Sequence, residues 1–428
     1  MVKGAQQLPV GWEWSTLNGV SDINYRDPQL RSLPDDLPVN FVPMAAIDAQ
    51  LGIISNLAVR PIKEVRKGLT PFSDGDVIIA KITPSMENGK AAIARNLLNG
   101  KAFGSTEFHV LKPKDNVLAE FLFYFIRQES FRKDAKAHFS GTAGQLRVPE
   151  KFLFNYPIPL PPLPEQKRIV SRIEELFNDL EAGVAALERV RAGLKRYKAS
   201  VLKAACEGRL LGKGRKLGSD GLPDGWRWVT VENLSSKEKH SLAIGPFGSN
   251  LKVIDYRDQG VPLVFVRNIR TGNFDNTHYI TKEKARELRA HQITGGDILI
   301  TKMGEPPGDA CLYPESRPIA VITADCIKWG VEPALANKRF IVHMINSPVM
   351  QKQIQKITRG VAQKKVSLDR FRGLLVPLPP LDEQKRIVSE VERRLSVVGE
   401  LESTVEAGLL RAGRLRQAIL RSAFEGRL

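Results

Sequence analysis

Long apolar runs are missing from this chain of 428 residues. No stretch approaches the roughly 18 apolar residues that a membrane-spanning helix needs. The opening MVKGAQQLPVGWEW holds no apolar segment of the kind a secretory signal carries. Cysteine is scarce. Cys206, Cys311 and Cys326 are odd in number and lack metal-ligand spacing, which argues against a disulfide framework and suits a reducing cytoplasm. No GxxxxGK[ST] phosphate loop occurs, so nothing reads as an ATPase. The six histidines, 109, 138, 240, 278, 291 and 343, are scattered and give no H-E-x-x-H arrangement. Acidic pairs such as Asp74/Asp76 and Glu174/Glu175 fall on turns or solvated helix faces, and no metal or catalytic site is expected from them.

Acid is also short relative to base. Lys and Arg number 64 against 47 Asp and Glu, a net charge of +17. The surplus is spread over several segments and not carried by one basic tail. A basic surface attracts polyanions, of which nucleic acid is the commonest inside a cell.

What is present is a duplication. PLPPLPEQKRIV (Pro159–Val170) returns as PLPPLDEQKRIV (Pro377–Val388), 218 residues later. LPVGWEW (Leu8–Trp14) returns as LPDGWRW (Leu222–Trp228), and GDVIIAK (Gly75–Lys81) as GDILITK (Gly296–Lys302). GTAGQLRV (Gly141–Val148) returns one residue shorter as GVAQKKV (Gly360–Val366). EGRL closes both copies, at Glu207–Leu210 and Glu425–Leu428. The expected layout is a mixed β-rich head over 1–156, a helical stem over 157–210, and a Gly/Lys/Ser linker over 211–221. A second head over 222–376 and a second stem over 377–428 follow. The heads diverge while the stems stay alike, which suggests two readers of different things in one frame.

Each stem reads as one long helix. Pro164 suits the first helical turn of the first, and Asp382 takes that place in the second. Ile173, Leu180, Leu187, Leu194 and Val201 fall seven apart, interleaved with Ile169, Leu176, Gly183, Val190, Tyr197 and Ala204. Val391, Val398, Val405, Ala412 and Ile419 form the matching row of the second stem, beside a row that Arg394 and Gly408 interrupt. The pattern is a heptad seam. The predicted fold class is therefore α+β: two globular α/β heads and two long helices packed as an antiparallel coiled coil, related by an internal pseudo-twofold.

The doubled PLPPL-x-EQKRIV before a heptad helix, after two unlike heads, resembles the specificity subunit of type I restriction–modification enzymes. The LPxGWxW lead-ins, the GDVIIAK/GDILITK strands and GPFGSNLK (Gly245–Lys252) are similar to that family too, so the resemblance covers essentially the whole chain. It implies two target-recognition domains, each reading one half of a bipartite double-stranded DNA site, with the helices as a ruler. It implies no catalytic activity and no cofactor in the chain itself. Two methyltransferase subunits using S-adenosylmethionine, and restriction subunits using ATP and Mg, would be the partners. KMGEPPGD (Lys302–Asp309) has the Pro-Pro core of an amino-methyltransferase motif but carries Gly308 where an aromatic ring must stack on the base, so a self-contained DNA-modifying enzyme is disfavoured. A coiled-coil scaffold without a nucleic-acid role is the other alternative.

Groove readout needs Arg, Lys, Asn and Gln on reaching elements. In the first head the candidates are Lys81, Thr83, Lys90, Gln145 and Arg147. In the second they are Asn250, Lys252, Arg267, Asn268, Arg270, Lys302, Gln363, Lys364 and Lys365. The helix starts Glu165, Gln166, Lys167, Arg168 and Glu383, Gln384, Lys385, Arg386 are the same in both copies. They fit either two copies of one protein partner or a shared helix-start motif.

Overall fold

The computed structural model describes residues 8–25, 27–28, 32–142, 145–212, 216–275, 277–360 and 364–428. The chain forms two compact units, Met1–Leu187 with Ala407–Leu428, and Glu188–Glu406. Each unit holds one head and a portion of both stem helices.

LPxGW is a turn. The Trp12 amide donates to Pro9 O at 3.1 Å and the Trp226 amide to Pro223 O at 3.0 Å. Gly11 and Gly225 each sit at φ +82°, the left-handed position such a turn reserves for glycine. The strand after each turn pairs with the strand that PLP begins. Glu13–Thr16 lies antiparallel to Pro157–Leu160, with Trp14 opposite Pro159. Arg227–Thr230 lies antiparallel to Leu375–Leu378, with Trp228 opposite Pro377. Each head is thus closed by a ribbon made of its first and last strands, and the chain passes from it straight into the stem.

Within that closure the first head carries two four-stranded sheets. One runs Ser21–Ile23, Phe108–Pro113, Val77–Ala80, Ala91–Ile93, all antiparallel. The other runs Ala58–Pro61, Pro38–Val42, Lys101–Gly104, Thr70–Ser73, with its middle pair parallel. The second head repeats both orders. Leu242–Ile244, Cys326–Trp329, Ile298–Thr301 and Ala310–Leu312 form one sheet. Tyr279–Ile280, Val261–Val264, Ala320–Ile322 and Gln292–Ile293 form the other, again with a parallel middle pair. The central strands VIIA and ILIT are buried along their whole length, as expected for runs covered on both faces.

The stem helices span Leu163–Cys206 and Leu381–Phe424, 44 residues each. At their ends EGRL acts as a stop. In the first, the Arg209 amide donates to Ala204 O at 2.8 Å, and in the second the Arg427 amide donates to Ser422 O at 2.9 Å. Gly208 (φ +67°) and Gly426 (φ +70°) take the left-handed conformation that this Schellman closure requires.

The helices run antiparallel within each unit. In the first, Ile169, Val170 and Ile173 share a core with Ile419, Leu420, Ala423 and Phe424, and Arg416 pairs with Glu181 at 2.6 Å. In the second, Val201, Leu202 and Ala205 share a core with Ile387, Val388 and Val391. The predicted two-row seam is corrected in one respect. The Ile173–Val201 and Val391–Ile419 rows are buried or half-buried, but Gly183, Val190, Tyr197, Leu401 and Leu415 of the second rows are exposed. Within each unit one stripe of the stem helices is covered, and members of the flanking row are left open.

Candidate nucleic-acid interface

In both heads the buried central strand ends in a loop that a hairpin grips. In the first head the loop is Lys81–Lys90 and the hairpin is pinned by paired amides of Ser140 and Arg147, 3.0 and 2.9 Å. The Val148 amide donates to Lys81 O at 2.9 Å, and the Thr83 amide to Leu146 O at 3.0 Å. In the second head the loop is Lys302–Asp309 and the hairpin is pinned between Arg359 and Lys365, 3.0 and 2.9 Å. The Val366 amide donates to Lys302 O at 3.0 Å, and the Gly304 amide to Lys364 O at 3.3 Å. Both loops carry a cis proline bond, Thr83–Pro84 and Glu305–Pro306.

This brings Lys81, Thr83, Gln145 and Arg147 together in one head, and Lys302, Lys364, Lys365 and Arg270 in the other. Each set is braced by carboxylates. Arg147 forms a bidentate pair with Glu107, both bonds 2.8 Å, and this pairing holds the Glu107 carboxyl below its usual range. Thr83 Oγ1 donates to Glu87 at 3.0 Å. Arg270 donates to Asp309 at 2.9 Å and to Pro306 O at 2.7 Å, lying where a Cβ on Gly304 (φ +146°) would clash with it. Lys364 pairs with Glu305 at 3.7 Å, and Lys302 Nζ donates to Ala324 O at 3.1 Å. The Lys90 ammonium, at the far end of its loop, donates to Met44 O at 2.9 Å. Arg267 stacks its guanidinium over Phe265, 5.1 Å from the ring centre. Asn250 and Lys252 are exposed on a separate loop between Ile244 and Val261.

Two sets of expectations change. Asn268 is 3% exposed. Its side chain accepts from the Phe265 amide at 2.9 Å and donates to Asn273 O at 2.9 Å, so it shapes its turn and reads nothing. Gln363 lies outside the described residues. Gln166 and Gln384 are fully buried and cannot meet a partner. Gln166 accepts from the Leu118 amide at 2.9 Å and donates to Asn116 O and Pro161 O at 2.9 and 3.0 Å. Gln384 does the same with the Asn337 amide, Leu335 O and Pro379 O, at 2.7, 3.2 and 2.8 Å. Each glutamine bolts a stem start to the first turn of a head helix, Ala119–Ile126 or Lys338–Ile345.

The rest of EQKR stays at or near the surface. Glu165 pairs with Arg168, which also donates to Leu428 O at 2.7 Å. Lys385 pairs with Asp382 at 3.4 Å. Lys167 and Arg386 are exposed and Glu383 is half-buried.

Sequence reasoning passed over His109, which is buried beneath the first hairpin. Its Nδ1 lies 3.1 Å from the Asn24 amide nitrogen and its Nε2 2.9 Å from Val148 O. A neutral ring that accepts at Nδ1 and donates at Nε2 satisfies both, and burial lowers its pKa. It also passed over Trp14 and Trp228, exposed at equivalent ribbon positions although the repeated LPxGWxW signalled them. Among the described residues no cluster of His, Cys, Asp or Glu could hold a metal ion. Nor is any helix among them long and apolar enough to cross a membrane.

The family model described as type I restriction modification DNA specificity domain matches residues 9–189 and 256–407. The specificity subunit of the Escherichia coli type I enzyme EcoAI is 40% identical over 173 residues, 40% of this chain and 29% of that relative's length. The EcoEI specificity subunit of the same species is 26% identical over 94% of this chain and 80% of its own, and that of EcoKI 25% identical over 99% and 90%. A chain from a structure titled as the basis of complex assembly and conformational transition of the type I R-M system superposes with a TM-score of 0.76. It is 22% identical and covered in full, with 99% of this chain. The HsdS subunit from Thermoanaerobacter tengcongensis gives 0.57 at 22% identity, both chains covered in full. With matched regions at both copies of the repeat, the chain belongs to the type I restriction modification DNA specificity domain family.

Proposed function

We propose that this chain is the DNA-reading subunit of a type I restriction–modification complex, that each head takes one half of a bipartite, asymmetric duplex site, and that the stems set the gap between the halves. The observation that carries this reading is one sheet frame used twice, each time offering a different set of side chains on the same loop and hairpin. A constant frame with variable tips is what two readers of unlike sequences require. In the first head these are Lys81, Thr83, Gln145 and Arg147. In the second they are Arg270, Lys302, Lys364 and Lys365, with Asn250, Lys252 and Arg267 on neighbouring elements.

Chemistry would belong to partners. Two methyltransferase subunits using S-adenosylmethionine would dock on surfaces common to both units, and restriction subunits using ATP and Mg would join through them. Glu165, Lys167 and Arg168 with Glu383, Lys385 and Arg386 are one such surface. Tyr197 in one unit and Leu415 in the other, exposed at equivalent positions of the two stems, are another, because exposed apolar side chains suit a partner surface.

Selection of duplexes from a randomised library by the full-length chain, alone and with its methyltransferase, tests the reading. Two unlike conserved blocks at a fixed gap are expected, with affinity falling steeply as salt rises. Recovery of no consensus, or of a symmetric one, overturns it. Methylation or cleavage by the chain alone, supplied with S-adenosylmethionine, ATP and Mg, would establish the self-contained enzyme instead.

A further inference from the structure

Among the described residues of the second unit, the most exposed large apolar side chains lie on one loop. Between the strands Leu242–Ile244 and Val261–Val264, Phe247 is 69% exposed, Val253 78% and Ile254 80%. Such exposure would be unremarked on a floppy segment, but this loop is held at several points. The Gly245 amide donates to Cys326 O at 3.0 Å, and a Cβ there would sit 2.0 Å from Thr323 O, so the backbone lies directly on the Thr323–Asp325 turn. The Asn250 amide closes a turn on Phe247 O at 2.8 Å. Leu251 is buried with Leu263 and Ile280. The Lys252 amide donates to Asp255 Oδ2 at 2.8 Å, and Arg257 donates to Ile254 O at 2.8 Å. The fold thus spends anchors on keeping three apolar groups in water, which marks a surface that something covers.

Position and charge say what covers it. The Thr323–Asp325 turn under Gly245 is the one that receives the Lys302 ammonium and the Lys302 amide, at 3.1 and 2.7 Å. The loop therefore rises beside the proposed reading cluster. Lys252 is exposed between the apolar groups, and Asp255, the nearest carboxylate along the chain, accepts from the Lys252 amide. Among the described residues of the equivalent stretch from Asn24 to Leu37, the first head shows nothing alike, and the exposed aromatic there is Tyr25 under the Lys112 ammonium. A surface for a partner shared by both units would recur. A surface for one half-site would not.

We propose that the loop Gly245–Tyr256 is a base-contacting element of the second head, and that Phe247, Val253 and Ile254 read its half-site by apolar packing on the bases while Lys252 neutralises a phosphate. This rests on the DNA reading above. The test compares Phe247→Ala/Ile254→Ala and Lys252→Ala with the parent, as full-length chains, on the duplex that the parent selects and on an unrelated duplex, across a salt series. All three groups are exposed, and unchanged melting verifies the fold. The double variant is expected to lose about tenfold or more in affinity for the selected duplex, with no change in salt slope and little change on the unrelated one. Lys252→Ala is expected to lower the slope by about one unit on both. Parent-like discrimination by the double variant overturns the proposal, as does retained discrimination with loss of methyltransferase binding. A parent chain that selects no duplex defeats the DNA reading itself, a separate result.

Discussion

Gln166 and Gln384 settle at the scale of one side chain what EQKR does in the middle of its phrase. A buried amide whose oxygen accepts from a helix-start N–H and whose two N–H groups donate to two carbonyls has no donor left to offer a partner. Replacing Gln166 by Leu keeps the volume but strands the Leu118 amide and two carbonyl oxygens. The expected cost is about 2–3 kcal/mol, whereas Lys167→Ala, on the exposed face, should stay within about 0.5 kcal/mol. Denaturant midpoints of the full chain measure both. Equal midpoints for Gln166→Leu and the parent would mean the bolt carries no load. Little of this was legible beforehand. Repetition showed that the phrase mattered, but a glutamine aimed at a partner and one aimed inward have the same one-dimensional signature. Asn268 was misread for the same reason, since asparagine serves turns and adenine edges alike.

At the scale of the element, the hairpin of the first head is fastened by two titratable contacts. His109 is held neutral with a lowered pKa, and Glu107 is held ionised by Arg147. A histidine whose folded pKa lies below its unfolded value of about 6.5 withdraws stability as pH falls below 6.5, because the unfolded state takes up the proton first. The Glu107 contribution is present above its unfolded value and is lost at lower pH, below about 4.5. Protection of the Ser140 and Arg147 amides against hydrogen exchange, corrected for intrinsic rates, should therefore weaken between pH 7 and pH 5.5. The second head supplies the control. Its strand pairing sets Ile327 opposite Ile300 where the first sets His109 opposite Ile79, so the Arg359–Lys365 hairpin should hold its protection over that range. Equal loss in both hairpins would remove His109 as the cause. The long helices, with proline-free heptads, were readable from the sequence. The sheet order was not, because most strands run two to five residues and the parallel middle pair joins Pro38–Val42 to Lys101–Gly104 across some sixty positions. Periodicity has no purchase on segments that short.

At the scale of the whole chain, the repeated phrases turn out to be joints. LPxGW turns the backbone, PLP completes the ribbon, EQKR starts the stem and EGRL stops it. The last joint is made twice in different ways. Gly208 lies against Pro223, only the linker intervening in the chain, while Gly426 lies against Pro9, from opposite ends of the sequence. In both places a Cβ on the glycine would come within 2.4 Å of the proline ring, so the fit is equally close with or without a nearby covalent connection. Trp226 and Leu210 complete the contact in one unit, and Trp12 and Leu428 complete it in the other. Continuity of the backbone between Leu210 and Leu222 is therefore expected to be dispensable for packing. A rearranged chain that opens at Leu222 and joins Leu428 to Leu8 through a copy of the 211–221 segment meets every one of these contacts. It should melt within a few degrees of the parent, since moving one short loop alters closure entropy only modestly, and it should select the same duplex. The companion variant Gly426→Val forces a β-branched residue into a left-handed backbone against Pro9 and should destabilise the parent and the rearranged chain alike. If the rearranged chain fails to fold while Gly426→Val is tolerated in the parent, the Gly426–Pro9 contact is incidental and the linker is what holds that joint together.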